Sequence, residues 1–192
     1  MCGIAGFIDN SLNSIKAKEK ITNMIKIINH RGPDSIGVYN CKNFSAATAR
    51  LSIEKIKEGH QPILTKSKRY IASFNGEIFN YVEIIKKYSL SYDEINSEIK
   101  LLGRLFEIKG CDFISEIEGQ FAISIYDLLE KKLYLFRDRF GIRPLFYKEN
   151  NGNFVYASEI KSIAAYCKNS LNTSLSSIAM TSMFWSNIGN NT

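Results

Sequence analysis

A cysteine directly follows the initiator methionine in Met1-Cys2-Gly3-Ile4-Ala5-Gly6. Small second residues generally permit removal of that methionine, which leaves one residue carrying both a thiol and a free α-amino group. A thiol attacks carbonyl carbon as its thiolate, and its free pKa is about 8.5. An α-amine titrates near about 7.7–8.0, so much of it is neutral and basic at ordinary pH. Held within one residue, the amine can take the thiol's proton directly or through a water, as it does for N-terminal threonine nucleophiles. Gly3 leaves room for a substrate carbonyl beside the sulfur, and Gly6 lets backbone approach closely. Taken alone, the same stretch also reads as the opening of a buried strand.

The elements around it are ordinary for a globular domain. The 192 residues, 45% apolar and 23% charged, suffice for a full hydrophobic core. No stretch approaches the roughly 20 apolar residues that cross a bilayer, and the apolar start, which contains Asp9 and no basic leader, does not read as a signal peptide. Cysteines 2, 41, 111 and 167 stand far apart without metal-ligand spacing, so neither a disulfide framework nor a metal site is expected, and a reducing cytoplasmic setting fits. The net charge of +6 comes from lysines scattered among Asn, Ile and Glu. Without a basic stripe interleaved with aromatics, it predicts a solvated surface and no nucleic-acid partner.

Residues 2–8 read as a strand buried on both faces, and Asn13 or Ser14 can cap a helix with Ala17, Ile21, Met24, Ile25 and Ile28 inward. A Gly-Pro loop at 30–34 separates it from strands at 36–40 and 44–50. A loop through 59–62 precedes a strand at 69–75, with Asn75-Gly76 as a turn dipeptide. Asn80 and Glu83 have capping-box spacing ahead of Tyr81, Ile84, Ile85 and Tyr88, and Ser97 can cap a helix that Gly110 ends. Strands at 120–127, 132–137, 144–148 and 153–157 and a short helix at 159–166 follow. Strands and helices are segregated, which argues against a Rossmann-type sheet and for a layered α+β sandwich. No phosphate-binding glycine loop is present in the sequence.

Eight motifs then occur in order: MCGIAGFID at 1–9, HRGPDSIG at 30–37, ARLSI at 49–53, GHQPI at 59–63, FNGEIFNY at 74–81, EGQFAISIYD at 118–127, RDRFGIRPLFY at 137–147 and YASEIKSI at 156–163. Over residues 1 to about 165 this resembles the class II glutamine amidotransferase domain, an N-terminal-nucleophile hydrolase, and within it the asparagine synthetase branch. The resemblance implies a four-layer αββα sandwich and hydrolysis of the glutamine side-chain amide to glutamate and ammonia. Cys2 would attack the amide carbon to give an oxyanion and then a thioester. The Asn75 amide and the Gly76 N–H match the family's oxyanion hole; by themselves they read as a hairpin turn. Arg50 matches the residue that holds the substrate α-carboxylate, for which a guanidinium fork is suited. Backbone around Leu51 and Ile53, together with Glu77, matches positions lining the glutamine pocket.

The sequence departs from the family at 97–100. Where Ser/Thr-Asp usually presents the ligand of the substrate's α-ammonium, this chain has Ser97-Glu98, and Lys100 stands at a position usually acidic. Glu98 is thus the expected ammonium ligand, one methylene longer. His30 and His60 could serve a Cys-His pair, but the family uses the first structurally and the second not at all. The resemblance implies that residues 166–192 lead into an ATP-dependent synthetase domain, where ATP and Mg would bind; no cofactor is expected in residues 1–165. A homodimer is compatible with it. The competing reading is a non-catalytic glutamine-binding or structural remnant.

Overall fold

The computed structural model describes residues 1–51, 59–150 and 152–167. Two antiparallel sheets lie face to face between helices. The first has the strand order β2-β3-β1-β9-β8 and the second β4-β5-β6-β7. Their strands are β1 (Gly3–Ile8), β2 (Ser35–Asn40), β3 (Phe44–Arg50), β4 (Ile63–Leu64), β5 (Tyr70–Ile78), β6 (Gly119–Asp127), β7 (Lys132–Arg137), β8 (Phe146–Asn150) and β9 (Asn153–Ala157). Helices α1 (Ser14–Ile27) and α4 (Ile160–Tyr166) cover the first sheet, and α2 (Tyr81–Lys87) and α3 (Glu98–Lys109) cover the second. This is the four-layer αββα sandwich.

Side-chain alternation along each strand sorts residues between the layers. On β1 and β3, Ala5, Phe7, Ala47 and Ala49 pack under α1, whose buried Ala17, Ile21, Met24 and Ile25 keep helical spacing. On β5 and β6, Ala72, Phe74, Phe121, Ile123 and Ile125 pack under α3. The opposite faces, with Ile4, Phe44, Ala46, Ile71, Ala122, Tyr126 and Tyr156, fill the space between the sheets. Gly6 serves this inner layer: a Cβ there would lie 2.3 Å from Tyr156 Oη. Only glycine lets the fully buried phenol reach Ser124 Oγ, 3.0 Å away on the facing sheet.

Several local signals are overridden. Asn75-Gly76 makes no turn, because β6 pairs with β5 as far as Ile78, placing Asn75 opposite Ala122 and Gly76 opposite Phe121. Asn13 does cap α1 by accepting from Lys16 N at 2.9 Å. Asn80, by contrast, forms no capping box; its amide clasps Glu116 O and Glu118 N at 2.9 and 3.0 Å, pinning the chain that enters β6. Ser97 stands at the N-cap of α3 without capping through its hydroxyl. The short edge strand β4 arises between the loop expected at 59–62 and the strand expected at 69–75, and the strand expected at 144–148 starts at Phe146.

Candidate active site

Cys2 sits just before β1, half-buried, with Sγ 3.9 Å from the Leu51 carbonyl oxygen. Its backbone is fixed from two directions. Ser158, following β9, accepts from Ile4 N with its hydroxyl at 2.9 Å and donates its own N–H to Ile4 O at 2.8 Å, which extends the sheet pairing to within two residues of Cys2. Arg31 Nε donates to the Cys2 carbonyl at 3.1 Å, and Arg31 Nη1 is held by Glu159 Oε1 at 3.1 Å. His30 Nε2 lies 2.9 Å from that same oxygen, and Lys161 Nζ is 3.0 Å from Oε2. Burial pushes the Glu159 carboxyl up, but Lys161, Arg31 and His30 together outweigh it and hold it below the usual range. His30 is thus one of three side chains gathered on a single carboxylate, an environment suited to structure. Sequence reasoning assigned no role to Arg31 or Glu159; their motifs were visible, but their pairing was not.

Arg50 ends β3. Gly3 pairs with Ala49, so the register carried on by one residue sets Arg50 opposite Cys2, both directed into the inter-sheet layer. Arg50 is buried, and its guanidinium passes so close to Gly59 that a Cβ there would lie 2.4 Å from Nη2. Leu51, half-buried, supplies the carbonyl beside the thiol. Ile53 lies outside the described residues. Met1, ahead of Cys2, is exposed.

The facing sheet contributes β5. Asn75 shares a face with Ile71, which packs in the inter-sheet layer. Its side chain is 1% exposed, and Nδ2 has no acceptor among the described residues. N–H groups point to alternate edges along a strand. Phe74 N donates to Gln61 Oε1 and Ile78 N to Glu98 Oε1, each at 2.6 Å, along the edge of β5 that faces away from β6. Gly76, midway between them, directs its N–H to that same edge. Gln61 and Glu98 therefore frame it, and Gln61, in the GHQPI motif, is a third residue that sequence reasoning passed over.

Glu98 is the first residue of α3, so its carboxylate also meets the positive end of the helix dipole. It lies near Tyr81, whose hydroxyl is pushed up by burial first and then by the Glu98 charge. Lys100 is turned elsewhere: Nζ donates to Asn96 Oδ1 at 2.7 Å, and the side chain lines a cleft with Thr65, Ile95 and Arg104. Glu77, within β5 and opposite Gln120, is exposed. The arrangement thus sets a thiol and a guanidinium on one sheet, and an unspent buried amide donor with an edge N–H on the other. Among the described residues, no cluster of three His, Cys, Asp or Glu has the geometry of a metal site, and no helix is long and apolar enough to cross a membrane.

A family model described as the glutamine amidotransferase domain matches residues 1–191. Among curated relatives, a Bacillus subtilis protein named asparagine synthetase [glutamine-hydrolyzing] 2 is 36% identical over 170 residues, which span 86% of this chain and 22% of that protein. Asparagine synthetase B [glutamine-hydrolyzing] of Escherichia coli is 33% identical over 171 residues, spanning 88% and 31% of the two chains. A protein of Methanocaldococcus jannaschii named as a second glutamine-hydrolysing asparagine synthetase is 35% identical over 184 residues, covering 86% and 35%. The chain therefore matches only about a fifth to a third of the length of these relatives. Among solved structures, the glutamine phosphoribosylpyrophosphate amidotransferase of B. subtilis superimposes with a TM-score of 0.70 over 86% of this chain and 44% of that one, at 17% identity. At that identity the likeness establishes the shared fold.

Proposed function

The chain belongs to the glutamine amidotransferase domain family, and on that premise we propose that it hydrolyses the side-chain amide of glutamine to glutamate and ammonia, with Cys2 as nucleophile. In this reading the α-amine of a processed Cys2 takes the thiol proton. The thiolate adds to the amide carbon, and the amine returns the proton to the departing nitrogen, which leaves as ammonia. Water, deprotonated by the same amine, then cleaves the thioester to release glutamate and restore the thiol. Both tetrahedral states place negative charge on the former carbonyl oxygen, for which Asn75 Nδ2 and the Gly76 N–H are the donors. Arg50 holds the substrate α-carboxylate, Glu98 its α-ammonium, and Leu51, Ile53 and Glu77 line the pocket.

The observation that carries this reading is the Asn75 amide, a donor buried to 1% exposure and left without an acceptor among the described residues, on the layer that Cys2 enters. Interiors rarely leave such a donor unspent unless something transient uses it. The preorganised Cys2 backbone supports the same reading, since the Arg31–Glu159 pair fixes the residue that must both attack and transfer a proton.

The names and lengths of the relatives support a further step, in which the ammonia passes to an ATP-dependent synthetase domain on the same polypeptide. ATP and Mg would bind there, and the amidated acid is aspartate if this chain follows its relatives. The test of the core proposal is Cys2→Ala. Ammonia release from glutamine is abolished while the circular dichroism spectrum is unchanged; release at a rate near the parent's refutes Cys2 as nucleophile.

A further inference from the structure

Three side-chain atoms between the sheets have no hydrogen-bond partner among the described residues: Thr48 Oγ1, Ser73 Oγ and Asn75 Nδ2. Their residues are 0%, 1% and 1% exposed. Strand register brings them to one region. Thr48 lies opposite Ile4 on the first sheet. Ile4 packs in the inter-sheet layer with Ile71 and Ala122 of the second. Ala122 lies opposite Asn75, and Ser73 is the next residue of β5 on the same face. The layer is graded along its length. At the far end Phe44 stacks on Tyr126 with ring centroids 4.0 Å apart. In the middle Tyr156 Oη donates to Ser124 Oγ, and Ser124 is opposite Ser73. The three unpartnered groups come next, directly before Cys2 and Arg50.

Buried polar groups without partners are costly, and interiors offset that cost with enclosed water that makes about three hydrogen bonds to such groups. Facing sheets about 10 Å apart leave room for one where the inward side chains are as short as Thr and Ser. We propose that an ordered water is bound among Thr48, Ser73 and Asn75. It accepts from one hydrogen of Asn75 Nδ2 and from one of the two hydroxyls, and donates to the other hydroxyl. The second Nδ2 hydrogen, set at a fixed angle by the planar amide, is then aimed at the site. Thr48 and Ser73 are positioning residues: they act on turnover by holding the plane of the Asn75 amide through this water.

The water itself stands independently of the reaction, whereas its effect on turnover rests on the glutaminase reading above. An oxyanion donor acts chiefly in the transition state, so the expected signature is on kcat. Thr48→Val, nearly isosteric, lowers kcat about tenfold with KM within about twofold, and Thr48→Ser returns kcat to within about twofold of the parent. In an Asn75→Ala background Thr48→Val has no further effect, because the group it positions is gone. Ser73→Ala repeats the test should Thr48→Val fold poorly. A parent-like kcat in Thr48→Val and Ser73→Ala, or an undiminished loss in the Asn75→Ala background, overturns the positioning role. A high-resolution crystal structure of the parent with no density among the three side chains overturns the water. Absence of ammonia release from the parent itself would refute the glutaminase reading instead, and leaves the density measurement decisive for the water.

Discussion

Replacing Glu98 by glutamine and by alanine separates the two tasks that its carboxylate carries: the observed clamp on Ile78 N and the proposed bond to the substrate's ammonium. Glu98 Oε1 accepts Ile78 N at 2.6 Å from the first turn of α3, joining that helix to the open edge of β5. Alanine leaves the Ile78 N–H without this acceptor in a partly buried position, at a cost of about 1–3 kcal/mol. For a domain of this size, a loss of about 2 kcal/mol lowers Tm by roughly 4–8 °C. Glutamine keeps an acceptor oxygen at the same reach and gives up only the charge, whose interaction with the helix dipole is worth about 0.3–1 kcal/mol. Glu98→Gln therefore melts within about 4 °C of the parent. Its KM for glutamine is another matter: a charge-assisted bond to the ammonium is worth about 1.5–3 kcal/mol, so losing it raises KM about ten- to a hundredfold. Glu98→Asp keeps the charge but draws it back by one methylene. It melts like the alanine variant, while its KM stays nearer the parent's than that of Glu98→Gln. Calorimetry and ammonia release against glutamine concentration read the two quantities separately. A KM unchanged in Glu98→Gln removes Glu98 from substrate binding, and a Tm unchanged in Glu98→Ala refutes the clamp.

Two further outcomes follow from the same geometry. Protein that retains Met1 has an amide nitrogen where the base is needed, so it releases ammonia at least about a hundredfold more slowly than processed protein, in line with what general-base catalysis contributes; equal rates in mass-verified preparations would move the base to another residue. Asp138 makes the acid response measurable. Burial pushes its carboxyl up, but the N–H groups of Arg143, Ile142, Phe121 and Phe140, at 2.9–3.1 Å, outweigh burial and hold it below the usual range. The unfolded chain therefore binds the proton first, and this stabilisation is present at neutral pH and is lost as pH falls below about 3.9 and through the folded value. Asp138→Asn should cost about 1–3 kcal/mol at neutral pH and lie closer to the parent in acid, as read from urea midpoints at about pH 7 and pH 3; a gap that widens in acid contradicts the assignment.

The sequence by itself determined which residues are candidates for chemistry and where most of the elements lie. That Cys2, once Met1 is removed, would carry a thiol and an α-amine together is a property of the Met1-Cys2 pair, and it needs no fold to be read. Helix α1 was equally legible, since Asn13 caps it and its buried residues recur at the spacing of a single helix. These signals act over one to four residues, which is the reach of local backbone chemistry.

Tertiary structure decided everything that required a distant partner. Asn75-Gly76 has the composition of a turn, yet it runs straight because Phe121 and Ala122 pair with it, and that extension turns the Asn75 amide into the layer between the sheets. Asn80 had the spacing of a capping box, but it spends its amide on Glu116 and Glu118. Gln61 and Glu98 carry no local mark of their work, which is to satisfy alternate N–H groups on an edge that β4 is too short to cover. Arg31 and Glu159, 128 positions apart, meet only because β9 lies beside β1 and runs on into Ser158, which bonds Ile4 two residues from Cys2. Period and capping identify which residues face inward, whereas the pairing of strands decides what they face, and that choice is fixed by the burial of both sheets at once.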